Sequence, residues 1–188
     1  MKRYTIFRGP NGAGKSTLYQ AGIRTGAFLG ERINVDEFAA TLGDWRDELI
    51  QRQAARAAVE RTRHCIRRGL TFHQESTLAG RSIFRAVQSA KESGYVTELH
   101  YVCVENPSIA VARVHDRVRR GGHGVADAVV MRRYVSSLDN LREYLHLFDY
   151  AVLYDNSTRF ETVAQFRQGV PLWVQEGVSW VNDLMLKT

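Results

Sequence analysis

Lysine, proline and cysteine are all scarce in this 188-residue chain, at four, three and two. So few prolines exclude a disordered, Pro-rich linker protein. Cys65 and Cys103 match no metal-ligand spacing and cannot staple a fold of this size. Reduced, buried thiols in a cytoplasmic protein are the expectation. No apolar run approaches the ~18 residues of a membrane helix, so no membrane partner is expected. The opening residues, Met1 to Thr5, run straight into a strand-like pattern and lack the apolar stretch of a secretory leader. The chain has no Asn-Lys-x-Asp segment, the usual guanine-reading motif of a GTPase. It has no internal repeat and no low-complexity segment either.

What remains is the composition of one ordinary globular domain, taken as residues 1–188: 44% hydrophobic, 24% charged, 10% aromatic. Basic residues outnumber acidic ones 26 to 20, a net charge of +6. Arginine dominates, since only four of the 26 are lysine. A general bias toward arginine accounts for the imbalance. Even so, a position that stays lysine in such a chain marks a need for a slim ammonium instead of a planar fork. Lys2 and Lys187 lie near the ends, leaving Lys15 and Lys91. The surplus of charge suits an anionic small ligand as well as a nucleic acid.

Strand and helix patterns alternate. Tyr4–Phe7, Arg32–Val35, Thr71–Gln74, Val96–Val104 and Tyr150–Tyr154 read as strands, and Leu172–Gln175 as a short sixth. Helices are expected from about Lys15, over Trp45–Arg68 up to Gly69, over Ile83–Ser93 up to Gly94, from Asn106-Pro107 to Arg120, and over Ala126–Leu147. Trp173 and Trp180 read as a packed end of the domain. The alternation implies βαβ units: an α/β fold of three layers, with a mostly parallel sheet of about five strands and helices on both faces. The helices of 106–147 are a candidate helical lid over one edge.

Between the first strand and the first helix stands Gly9-Pro10-Asn11-Gly12-Ala13-Gly14-Lys15-Ser16-Thr17, a match to G-x-x-x-x-G-K-[ST]. Backbone N–H groups that turn inward around a phosphate need glycine where φ is positive or a Cβ would clash. The following helix offers its positive end to the same anion. Lys15 is placed to reach the β- and γ-phosphates, and Ser16 to ligate Mg²⁺. A Gly-rich turn that merely caps a helix is the plain alternative. The context favours a site for a nucleoside triphosphate, ATP first.

Three uses of such a site compete: a small-molecule kinase, a nucleic-acid kinase, and a switch or motor. Ile33-Asn34-Val35-Asp36-Glu37 is a poor motor strand, because Asn34 interrupts its apolar run. Asp36 ends the strand after the first helix, where an acceptor would lie, and is the candidate base for an acceptor hydroxyl. It could equally cap a helix beginning near Glu37. Glu75 ends the third strand and could anchor an acceptor hydroxyl or a Mg²⁺-bound water, with Thr77 adding a hydrogen bond. A loop or helix cap is the alternative. His73 reads as a strand residue and not a metal ligand. Arg113, Arg117 and Arg120, at i, i+4 and i+7, share a helical face, and Arg132-Arg133 follow beyond Gly121-Gly122-His123. Such forks suit a transferred phosphoryl group. A solvated basic face and an RNA track are the alternatives, and this stretch lacks the interleaved aromatics of nucleic-acid binding. Asp155-Asn156-Ser157 reads as an Asx turn or as the border of a nucleotide base.

Taken in order, these motifs resemble the zeta toxin family of P-loop kinases in its short chromosomal form. The segments that carry the resemblance are 9–17, 33–37, Glu75-Ser76-Thr77-Leu78, 117–125, Arg132-Arg133-Tyr134 and 155–157, spanning roughly residues 3 to 157. The resemblance implies transfer of a phosphoryl group from ATP, with Mg²⁺, to a hydroxyl of a small acceptor. The family's best-known acceptor is UDP-N-acetylglucosamine, modified at the 3′ hydroxyl of its sugar. By this resemblance Asp36 is the base, Glu75 and Thr77 bind the acceptor, and Arg117, Arg133 and, in reserve, Arg120 serve the γ-phosphate. An antitoxin protein is an implied partner. Antibiotic and nucleoside kinases, 5′-hydroxyl nucleic-acid kinases and a non-catalytic switch remain as alternatives.

Overall fold

The computed structural model describes residues 1–28, 30–44, 46–75, 82–122 and 124–186. Thr77 and His123 lie outside them, as does Trp45.

Among the described residues seven strands form one sheet in the order β2-β3-β1-β4-β5-β6-β7. β1 (Arg3–Arg8), β2 (Glu31–Asn34), β3 (Phe72–Glu75), β4 (Val96–Cys103) and β5 (Tyr150–Asp155) are parallel to one another. β6 (Glu161–Arg167) and β7 (Val170–Val174) extend the sheet antiparallel. The expected parallel core of five is therefore right, and the sheet is two strands wider. β6 was not foreseen, because a bulge against β5, where Tyr154 pairs with Thr162 and Leu153 with Ala164, leaves Val163 and Ala164 both buried and breaks its period-two alternation. The signal that could have found it is the two-residue turn Gln168-Gly169, with φ of 50° and 80°, which joins β6 to β7 as a tight hairpin.

β1 is the middle one of the five parallel strands, buried from Tyr4 to Arg8. Alternation along it sends Tyr4, Ile6 and Arg8 to one face and Thr5 and Phe7 to the other. On the first face Tyr4 stacks on Phe72, with ring centroids 4.2 Å apart, and the main core forms under α3 (Glu48–Arg68), α4 (Ser82–Glu92) and α6 (Asp127–Tyr144). On the second, Phe7 meets Tyr19 of α1 (Lys15–Arg24) edge-on and stacks on His100.

Local signals explain the helix limits. α3 starts at Asp47, whose carboxylate accepts from Leu49 N, and stops at Gly69 in the left-handed region. It begins at Glu48, later than the expected residue 45, because Asp47 supplies the cap. α5 (Pro107–Arg119) starts at Asn106, which accepts from Ser108 N and Ile109 N, with Pro107 in the first turn. α6 ends at Tyr144, and a 3₁₀ turn over Leu145–Leu147 completes the expected span. α2 (Val35–Leu42) opens on Asn34, so Val35 belongs to the helix and not to the strand before it. A last helix, α7 (Ser179–Leu186), buries Trp180, while Trp173 on β7 stays 46% exposed and is not part of the packed end.

The α5–α6 pair is tied firmly to the sheet. Tyr134 donates to the carbonyls of Val104 and Glu105, at 2.7 and 3.0 Å, and Tyr101 and Ser137 share a 2.9 Å hydrogen bond. Val130, Tyr134, Ser137, Asn140 and Leu141 of α6 are buried.

Candidate active site

The loop between β1 and α1 wraps tightly because its glycines allow it. Gly9 has φ 140°, and a Cβ there would stand 1.9 Å from the Val102 carbonyl oxygen. Gly12 has φ 77°, with the Ala110 carbonyl oxygen 2.4 Å from any added Cβ. Both are backbone approaches that no side chain tolerates. Asn156, just past β5, donates through Nδ2 to the Ala13 carbonyl at 2.8 Å and pins the loop from the far side. α1 then starts at Gly14 with no acidic residue in its first turn, so its positive end is left for an anion.

Lys15 folds back within the loop, donating to the carbonyls of Gly9 (3.0 Å) and Pro10 (2.9 Å). Burial pushes its ammonium down to about 8, against the pull of Glu75 and Asp36. Ser16 Oγ donates to Glu75 Oε1 at 2.6 Å. The other Glu75 oxygen accepts from Arg32 Nη2 at 3.1 Å and Asn34 Nδ2 at 3.3 Å. Strand register places these groups: Asn34, Glu75 and Phe7 are neighbours across β2, β3 and β1 at their C-terminal ends.

Asp36 is the second residue of α2, and Asn34, not Asp36, is the cap: its side chain accepts from Asp36 N at 2.9 Å. That leaves the Asp36 carboxylate free of a capping duty. It faces a cavity of about 910 Å³, which Asn11, Gly12, Gly14, Lys15, Ser16 and Thr17 also line. Glu75, Arg113, Arg117 and Arg133 reach the same cavity. Arg133 donates to Asn11 Oδ1 at 3.2 Å, Arg113 to the Ser157 carbonyl at 3.2 Å, and Arg113 Nη1 is buried without a hydrogen-bond partner among the described residues. Arg120 is not brought to the cavity. It sits just past α5, 78% exposed, paired with Asp116 at 2.7 Å. Thr77 lies outside the described residues.

Two participants had no motif. Arg32 contacts Glu75 and Glu37 and lays its guanidinium over the Tyr19 ring, 4.1 Å from the centroid. Arg8, the last residue of β1, is 2% exposed and lines the cavity, and burial pushes its guanidinium down to about 10. Apolar strands rarely end in a buried arginine, and that anomaly was the available signal. Asp155 forms the Asx turn, accepting from Ser157 N at 2.8 Å, and also accepts from Trp180 Nε1 at 2.8 Å.

A family model described as an AAA domain matches residues 5–141, which take in four of the five parallel strands, β1 to β4. The chain belongs to that AAA domain family. An uncharacterised protein of Haemophilus influenzae is 33% identical over 135 residues, covering 71% of this chain and 94% of its own. Among solved structures, one from the PezAT chromosomal toxin–antitoxin system of Streptococcus pneumoniae superposes with a TM-score of 0.67 at 16% identity. It covers 97% of this chain and 78% of its own. The AvrRxo1-ORF1:-ORF2 complex with ATP superposes at 0.68 and 16% identity, and this chain spans 63% of the matched chain. Identities this low establish a shared fold, the mostly parallel P-loop kinase-type fold, which implies nucleotide binding. No helix among the described residues is long and apolar enough to cross a membrane.

Proposed function

We propose that the protein is an ATP-dependent phosphotransferase that moves the γ-phosphoryl group of ATP to a hydroxyl of a small acceptor. One observation carries this: a carboxylate at the start of α2, Asp36, faces the phosphate loop across a shared cavity. The loop amides and Lys15 hold the triphosphate, and Arg117, Arg133 and Arg113 offer forks to charge developing on the transferred group. Asp36 takes the proton of the acceptor hydroxyl. Ser16 and Glu75 are oxygen donors already in contact and fit a hard cation such as Mg²⁺. When bound, that ion neutralises phosphate charge. Glu75 is engaged with Ser16, Arg32 and Asn34, which supports a role toward the metal and its water over a direct grip on the acceptor.

The family resemblance of the sequence makes UDP-N-acetylglucosamine the first acceptor to try, and the toxin–antitoxin system of a structural neighbour adds an antitoxin as a candidate partner. The test is a mass-spectrometric screen of cell metabolites incubated with ATP and the protein. A new phosphorylated species is expected, and it should vanish with Asp36→Asn while an ATP analogue still binds. Slow hydrolysis indifferent to every metabolite would reject the transferase in favour of a nucleotide switch.

A further inference from the structure

The turn after β5 touches the phosphate loop on one side and the C-terminal helix on the other. Asp155, 8% exposed, ends the strand. Its Oδ1 accepts from Ser157 N at 2.8 Å, and its Oδ2 accepts from Ser157 Oγ at 3.0 Å and from Trp180 Nε1 at 2.8 Å. Ser157 Oγ in turn accepts from Glu105 N at 2.7 Å. The next two residues reach the site. Asn156 donates to the Ala13 carbonyl, and a Cβ on Gly14 would stand 2.4 Å from its Nδ2. The Ser157 carbonyl accepts from Arg113, which lines the cavity. Three consecutive residues therefore set both one wall of the phosphate loop and one of the arginines beside it.

Trp180 lies in the first turn of α7, 4% exposed, with its ring 6.0 Å from that of Tyr101. The helix has anchors that do not involve the site. Val181 and Leu184 are buried, and Arg142 of α6 donates to the Asp183 carbonyl at 3.4 Å. Burial of the indole ring adds to these. Its N–H has a separate task. Most side-chain hydrogen bonds go to the backbone or to water, and this one goes to a buried carboxylate, where charge strengthens it. A carboxylate shut away from water depends on its donors. Without the indole, Oδ2 keeps only the Ser157 hydroxyl among the described residues. The pull of Asp155 toward water then works against the turn that it closes.

We infer that Trp180 is a positioning residue for the bound nucleotide. Through Asp155 it holds the turn of residues 155–157, and through Asn156 and Ser157 that turn fixes the phosphate loop and Arg113. The indole itself stands behind the site, one residue removed from the loop. The match to the family model ends at residue 141, so this support comes from a segment outside it. The inference rests on the phosphate loop being a nucleotide site and needs no particular acceptor.

Two measurements test it. In the first, a non-hydrolysable ATP analogue is titrated with magnesium by calorimetry, well below the unfolding midpoint of each variant. Trp180→Phe keeps a ring against Tyr101 and deletes the N–H. It is expected to weaken analogue binding about threefold or more, the size of coupling that residues in one hydrogen-bond network show. In an Asn156→Ala background the same replacement should cost less, because the route to the loop is already cut. Wild-type affinity in Trp180→Phe, or an equal loss in both backgrounds, overturns the inference. The second measurement leaves every buried residue in place. Indole N–H resonances are followed in proton–nitrogen correlation spectra and assigned with Trp45→Phe and Trp173→Phe. Saturating analogue is expected to shift the Trp180 resonance and to leave that of Trp173, on the outer strand, where it was. A Trp180 resonance that stays in place overturns the inference even if Trp180→Phe fails to fold. Wild-type protein that binds no analogue removes the nucleotide site and the inference together, whereas binding indifferent to Trp180 removes the inference alone.

Discussion

Ser16 Oγ and Glu75 Oε1 are joined by a 2.6 Å hydrogen bond across 59 residues of sequence. The bond links the first turn of α1 to the end of the neighbouring strand β3, so a single carboxylate senses the hydroxyl that P-loop proteins offer to Mg²⁺. Its second oxygen is held by Arg32 and Asn34. Partners that orient a metal-binding group change metal affinity by roughly 10–100-fold. Glu75→Gln is therefore expected to raise half-saturating Mg²⁺ about tenfold in analogue-binding titrations. An unchanged Mg²⁺ curve would remove Glu75 from the metal's surroundings.

Lys15 is pushed down from 10.5 to about 8 in the folded chain. Between those values the unfolded chain binds more protons, so folding stability is expected to rise as pH climbs from about 8 toward 10.5. Arg8, lowered to about 10, continues the trend above that. Lys15→Met should flatten the lower part of the rise in denaturant unfolding followed across pH. Triphosphate binding has the opposite slope, since it needs the ammonium: analogue affinity should fall above pH 8, with uptake of a proton detectable by calorimetry in buffers of different ionisation enthalpy.

His73 and His100 are both lowered from 6.5 to about 4 by burial. Their neutral forms are the folded ones. As pH falls from 6.5 to 4 the unfolded chain takes up protons first, and stability drops across that window. His100 stacks on Phe7, with centroids 5.3 Å apart, and its Nδ1 pairs with the Tyr154 hydroxyl at 2.9 Å. His100→Phe keeps the stack and should make acid unfolding less steep. An identical acid limb in the variant would assign the loss to other groups.

Asn156→Ala removes the 2.8 Å bond to the Ala13 carbonyl. A net loss of about 1 kcal/mol in stability is expected, with an ATP-analogue affinity several-fold weaker because the loop is no longer pinned. Full affinity in the variant would show that the glycines alone hold the loop.

The phosphate loop and the five parallel strands were legible because each rests on local chemistry: glycines at fixed spacing, β-branched runs, caps at Asn106 and Gly69. The antiparallel β6 was not, since its bulge hides the alternation and its place depends on β5. Within the site, Asp36 and Glu75 could be named as strand-end carboxylates, but their partners could not. Arg32 acts through Glu75 and Tyr19, both contacts made only when β2, β3 and α1 come together. Asn34, read as a flaw in an apolar strand, is the cap that frees Asp36. Arg120 shares a helical face with Arg113 and Arg117 in a seven-residue count, yet it lies beyond the last turn of α5 and pairs with Asp116 instead.

The position of β1 carries a cost during synthesis. The strand that bears the phosphate loop lies between β3 and β4, with partners at residues 72–75 and 96–101. At ~5–20 residues per second on the ribosome, its second neighbour emerges several seconds or more after it. For that interval β1 can pair only along its β3 edge, so the nascent chain carries an open sheet edge beside the phosphate loop until the fourth strand is out.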